Sequence, residues 1–78
     1  MTEVNQNNLY LLLPGKVTNV AIIYARRHHV SYIKALNKFY KSRTYKLLEQ
    51  ESTKYWHLGP VALYEEFMSE TNPLLDAI

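Results

Sequence analysis

Few residues in this chain have the type and spacing for chemistry. His28 and His29 are adjacent, Ser31 and Ser42 follow, and the next carboxylate after them is Glu49. Metal-binding histidines on a helix usually stand four apart, so that both rings point to one side. Adjacent helix positions point about 100° apart, and the chain has no cysteine to complete a ligand set. The pair therefore reads as a helix end followed by a loop at His29-Val30. A Ser-His-Asp set can be written from Ser31 or Ser42, a histidine and Asp76. No strand-turn-helix elbow surrounds either serine, and helix capping accounts for both. Gly15-Lys16 resembles the end of a phosphate-binding loop, but Val17 stands where Ser or Thr would hold magnesium, and the earlier glycine is missing. Glu65 and Glu66 are consecutive, so on a helix they do not face each other and read as a solvated face. These residues give no catalytic site, no metal site and no cofactor. They point away from an enzyme, and a small hydrolase ranks last among the readings.

Charge is the sharper clue. From Lys16 to Lys46 there are eight basic residues and no acid: Lys16, Arg26, Arg27, Lys34, Lys38, Lys41, Arg43 and Lys46. From Glu49 onward stand six acids, Glu49, Glu51, Glu65, Glu66, Glu70 and Asp76, against the single Lys54. Such asymmetry suggests a nucleic acid or a charged partner. Lys34, Lys38 and Lys41 lie at i, i+4, i+7, one side of a helix, with Arg43 close by. With Arg26 and Arg27 they could follow phosphates. A charged outer face is also what any amphipathic helix has, but here the usual i, i+4 acids are missing. The cations have three possible destinations: nucleic acid, an acidic protein partner, or the acidic last helix of the same chain or of another copy.

Seventy-eight residues make one domain with a thin core. The 47% hydrophobic fraction and seven tyrosines suffice for folding. A thin core also favours recruitment of a partner or a second copy. No apolar run approaches the ~20 residues of a membrane span, and the polar start lacks the pattern of a secretory signal. A soluble, cytoplasmic protein is the expectation, with no membrane contact.

The elements that must position these residues follow from periodicity. Residues 1–8 are polar and read as a flexible start, with a single helical domain over 9–78. Leu9-Tyr10-Leu11-Leu12-Leu13 is too short to distinguish a strand, a helical turn or an extended arm. Past Pro14, the residues Val17, Val20, Ala21, Tyr24 and Ala25 keep one helical face, and Ile22 and Ile23 widen it. Arg26, Arg27 and His28 close that helix at the negative end of its dipole. Ser31 reads as an N-cap for a helix with Ile33, Leu36 and Tyr40 inward, and Ser42 as the cap of a short helix through Tyr45, Leu47 and Leu48. Tyr55-Trp56-His57-Leu58 reads as extended. Gly59-Pro60 opens a last helix with Val61, Tyr64, Phe67 and Met68 inward and Glu65, Glu66 and Glu70 outward. Asn72-Pro73 ends it.

The predicted fold is all-α: a compact bundle of about four short helices near 15–29, 31–41, 42–50 and 60–70, with one short extended aromatic segment. Its predicted core anchors are Tyr24, Leu36, Tyr40, Leu48, Trp56, Tyr64 and Phe67.

Parts of the chain carry a resemblance. Pro14-Gly15-Lys16-Val17 leads into an apolar helix, followed by Val30-Ser31 and Ala35-Leu36-Asn37-Lys38-Phe39-Tyr40-Lys41-Ser42. The pattern is strongest at Thr44-Tyr45-Lys46-Leu47-Leu48-Glu49, Glu51-Ser52-Thr53-Lys54 and Tyr55-Trp56-His57-Leu58-Gly59-Pro60. Over 14–69 the chain resembles a family of small bacterial helical domains of unknown function. Genes of that family often stand beside those of predicted ADP-ribosyltransferase-like proteins. The resemblance implies an accessory or antitoxin-like partner role and carries over no functional residue. In that family the helix after the Ser31 position tends to be acidic, whereas here it carries Lys34, Lys38 and Lys41.

Two functions are therefore expected to compete. One is a protein-interaction module with a contact surface from Leu9, Leu11, Leu12, Ile22, Ile23, Leu74 and Leu75, serving a protein partner or a homo-oligomer. The other is a small nucleic-acid-binding domain using Arg26, Arg27, Lys34, Lys38, Lys41 and Arg43. Trp56 could anchor a partner, but a lone Trp in a small domain is more often core. If so, Trp56→Ala costs ~3–5 kcal/mol; an unchanged melting temperature would place the ring on the surface.

Overall fold

A computed structural model describes residues 4–71. The helix stop read at Asn72-Pro73, the contact residues Leu74 and Leu75, and Asp76 lie outside them. Helix α1 (Leu13–His28) carries Pro14 in its first turn, where the missing N–H costs nothing. It ends at His29, whose φ of 54° is left-handed. Such a residue closes a helix by turning its own and the next N–H back. Here the N–H groups of His29 and Val30 both converge on the Ala25 carbonyl. Val17, Val20, Ala21 and Tyr24 are buried, so the first predicted face is the core face.

Ser31 caps α2 (Tyr32–Tyr40) by accepting the Lys34 N–H at 3.1 Å. Ser42 caps α3 (Arg43–Leu48) by accepting the Tyr45 N–H at 3.0 Å, and its hydroxyl donates to the Phe39 carbonyl. Both serines act as the cap reading expects. Helix α4 (Pro60–Thr71) starts on Pro60. Among the described residues the fold is therefore an all-α bundle of four α-helices and no strand.

Four expectations are corrected. Leu9–Leu11 form a 3-10 turn leading into α1, with Leu9 buried and so removed from the supposed contact surface. Tyr55–His57 are a 3-10 turn as well, not an extended segment. Lys54, at φ 61°, reverses the chain in front of it, and the Leu58 N–H closes the turn on the Tyr55 carbonyl at 3.0 Å. The inner stripe of α2 is Ala35 and Phe39, both fully buried, with Leu36 partly buried. Ile33 and Tyr40 point outward at 62% and 47% exposure, so Tyr40 is not a core anchor. Apolar residues surround more than half of this helix, so periodicity alone cannot choose the inner side. Packing chooses it: Ala35 is small where α2 crosses α1, and Phe39 reaches Phe67 edge-on, with ring centroids 5.2 Å apart. On α4, Val61 is likewise half-exposed and Leu63 takes its place inside.

Phe67 also meets Tyr24 at 5.4 Å, and Phe39 meets Tyr45 at 5.9 Å. This ring series ties all four helices together. Leu48 and Tyr64 are buried as predicted. Trp56 is half-buried against the core, its indole N–H donating to the Glu51 carbonyl at 3.1 Å. Part of the polar start is tied to the body. Gln6 donates to the Glu49 carbonyl at 3.0 Å and accepts the Glu51 N–H at 2.9 Å.

The two sides of α2 should respond differently to truncation. Phe39→Ala is expected to cost ~3–5 kcal/mol through a cavity in the aromatic series. Ile33→Ala should stay within about 0.5 kcal/mol, as exposed sites do. Chemical denaturation of both variants checks this; equal losses would reverse the assigned faces.

Candidate functional site

The six candidate contact cations all stand exposed, but the fold does not gather them. Lys34, Lys38 and Lys41 share one flank of α2, and Tyr32, Leu36 and Tyr40 share the other, by the ~100° step of a helix. Arg26 lies in the last turn of α1 and lines an open groove with Thr18, Ile22, Ala25 and Tyr32. Arg27 turns to a different side, its guanidinium 5.1 Å from the centre of the Tyr64 ring, a cation–π distance. Arg43 opens α3 and lines a polar notch of about 210 Å³ with Thr44, Leu47, Tyr55, Glu66, Ser69 and Glu70. Lys16 is occupied: its ammonium donates to the Leu58 carbonyl at 2.8 Å.

The acids behave differently from the cations. Glu70, expected to face outward, turns in and closes the start of α3. Its carboxylate accepts the Arg43 N–H at 2.8 Å, the Thr44 N–H at 2.6 Å and the Thr44 hydroxyl. The first N–H groups of a helix have no partner within it, and a carboxylate there also meets the positive end of the dipole. Glu51 pairs with Lys54, the one ion pair among the described residues. Glu66 accepts from the Tyr55 hydroxyl at 3.4 Å. The basic half is thus not neutralised by the described part of the acidic half.

The histidines take local roles. His28 stacks on Tyr24 with centroids 4.0 Å apart, and its Nε2 lies 2.9 Å from the Tyr64 hydroxyl. His29 forms the helix-closing turn, so the adjacent rings serve different ends. Among the described residues no group of three His, Cys, Asp or Glu is placed to hold a metal ion, and no helix is long and apolar enough to cross a membrane.

Sequence reasoning missed the inward turn of Glu70 and the α1–α2 groove. Nothing local distinguishes Glu70 from Glu65 or Glu66; only the crossing of α4 over α3 does. The groove had a partial signal in Ile22, which broadens the apolar stripe of α1 beyond what one core face needs. Comparison with known protein families, characterised proteins and solved structures finds no match to the chain.

Burial raises the Tyr55 phenol above the ordinary tyrosine value, and the nearby Glu66 carboxylate adds to the shift. Tyr45 is raised by burial and then by Glu49. A group whose folded pKa is raised holds its stabilising contribution below the unfolded value and loses it as pH climbs through the folded one. Thermal stability should therefore fall above pH ~10. Melting curves across alkaline pH should show a shallower fall for Tyr55→Phe than for the unaltered chain.

Proposed function

We propose that this chain is a non-catalytic protein-interaction module, acting on a partner protein or on a second copy. The observation that supports it is the outward placement of large apolar side chains on a very small helical unit. Tyr10, Leu11 and Leu12 are consecutive and exposed, Leu11 by 67%. Ile33 and Tyr40, two turns apart, form a second apolar strip on α2. Single exposed apolar residues are ordinary, whereas adjoining ones mark contact surfaces. The family resemblance adds a candidate partner, the product of a neighbouring gene, with this chain as the accessory or antitoxin-like half.

One specific observation favours a second reading, a nucleic-acid-binding domain. Lys34, Lys38 and Lys41 line one flank of α2, and none of them pairs with a described carboxylate. Phosphate neutralisation would make such binding fall steeply with salt.

The interaction reading predicts that a tagged chain recovers a stable partner from its native host at physiological salt. Leu11→Asp and Ile33→Asp should abolish recovery while changing stability by no more than about 0.5 kcal/mol. Recovery of no partner and a monomer in solution would sink it. A gel shift at low salt that responds to Lys34→Glu/Lys38→Glu would instead support the nucleic-acid reading.

A further inference from the structure

Along one edge α1 and α2 meet in an open groove of about 420 Å³, lined by Thr18, Ile22, Ala25, Arg26 and Tyr32. Its floor is apolar. Ile22 and Ala25 are half-buried, and the Tyr32 ring forms a wall at 38% exposure. The Tyr32 hydroxyl lies 3.5 Å from the Thr18 hydroxyl, at the long limit of a hydrogen bond, so both keep capacity for an outside group. Arg26 is the one charged lining residue, and it forms no ion pair with a described carboxylate. The groove therefore offers space for a large apolar side chain, with a cation at its edge.

Three occupants can be weighed. A small ligand normally buries most of its surface in a concave site, and this groove is open along its length. A second copy would have to supply the anion, and three of the five described acids already hold contacts of their own. Glu70 holds the start of α3, Glu51 holds Lys54, and Glu66 accepts from Tyr55. Among the described acids that leaves Glu49 and Glu65, on different elements. Nucleic acid would need cations in a row, but Lys34, Lys38 and Lys41 lie on the flank of α2 opposite Tyr32, and an apolar floor offers phosphates nothing.

We propose that this groove docks an acidic amphipathic segment of a partner protein. One large aliphatic side chain seats over Ile22 and Ala25 against the Tyr32 ring, and a carboxylate of the same segment pairs with Arg26. An apolar anchor in a pocket with a charged rim is how amphipathic segments are commonly held. The inference rests on the interaction-module reading and narrows it to one site and one partner chemistry.

The test is an NMR titration of the isotope-labelled full chain at physiological salt. One probe is a synthetic amphipathic peptide with leucine on one face and glutamate on the other. The controls are the same peptide with lysine for glutamate, and duplex DNA. The acidic peptide should shift the amides of Thr18, Ile22, Ala25, Arg26 and Tyr32, and the lysine peptide should not. Arg26→Glu, at an exposed position, should keep the folded spectrum and weaken the acidic peptide by about tenfold or more. Ile22→Ala, a mild truncation, should weaken both the leucine contact and the shifts without changing the fold. The proposal is overturned if the acidic peptide causes no shifts, if Arg26→Glu binds it equally well, or if DNA shifts these amides instead. Peptide-induced shifts centred on Leu11 or Ile33 would also overturn the groove but leave the interaction-module reading standing. That reading falls separately, on the recovery of no partner.

Discussion

The structure depends on where Phe67 sits. Its ring lies between Tyr24 of α1 and Phe39 of α2, at 5.4 and 5.2 Å, and Phe39 passes the contact on to Tyr45 of α3. Tilted and edge-on ring pairs at these separations add to the gain from simple burial. A chain this short buries a smaller share of its surface than a larger domain does, so few side chains can serve two helices at once. Phe39 and Phe67 do so and are almost fully buried. The orientation of α2 follows from this constraint. Once Phe39 is committed to Phe67, Ile33 is left outside the core and Tyr40 keeps an edge-on contact with Tyr45 at 5.0 Å.

The same geometry explains how the charge is sorted. Three of the described acids make contacts within the chain: Glu70 at the start of α3, Glu51 with Lys54 and Glu66 with the Tyr55 hydroxyl. Cations in the first half are mostly left on the surface. Ion pairs between exposed groups contribute little to stability, so leaving the cations unpaired costs the fold little. It leaves them available to whatever meets the surface.

Much of this architecture can be read from the residues, and its failures have physical causes. The α1 stripe, the serine caps and Pro60 at the head of α4 are local signals, and each stands where its chemistry expects it. The inner side of α2 is not local. Ile33, Leu36 and Tyr40 form as good a periodic stripe as Ala35 and Phe39, and only a ring on another helix decides between them. Tyr55–His57 looked extended because aromatic residues favour strands, yet a left-handed residue at Lys54 turns the segment back on itself. For the candidate site, the cations are visible in the sequence but their dispersal over four places on the surface is not. The groove owes its existence to the angle between α1 and α2, which no short motif encodes.

The carboxylate of Glu70 has a consequence for the order of events. Helix α3 has six residues, well below the ~12–15 at which an isolated helix begins to persist in water. Two of its first N–H groups are satisfied by a side chain more than 25 positions further on. During synthesis, residues 43–48 therefore lack their completing contact until the end of α4 has emerged and crossed back over them. The two elements therefore support each other, alongside the Ser42 cap. Fraying the last turn of α4 would loosen a helix that lies far from it in sequence, so the end of α4 works as the clasp of the bundle.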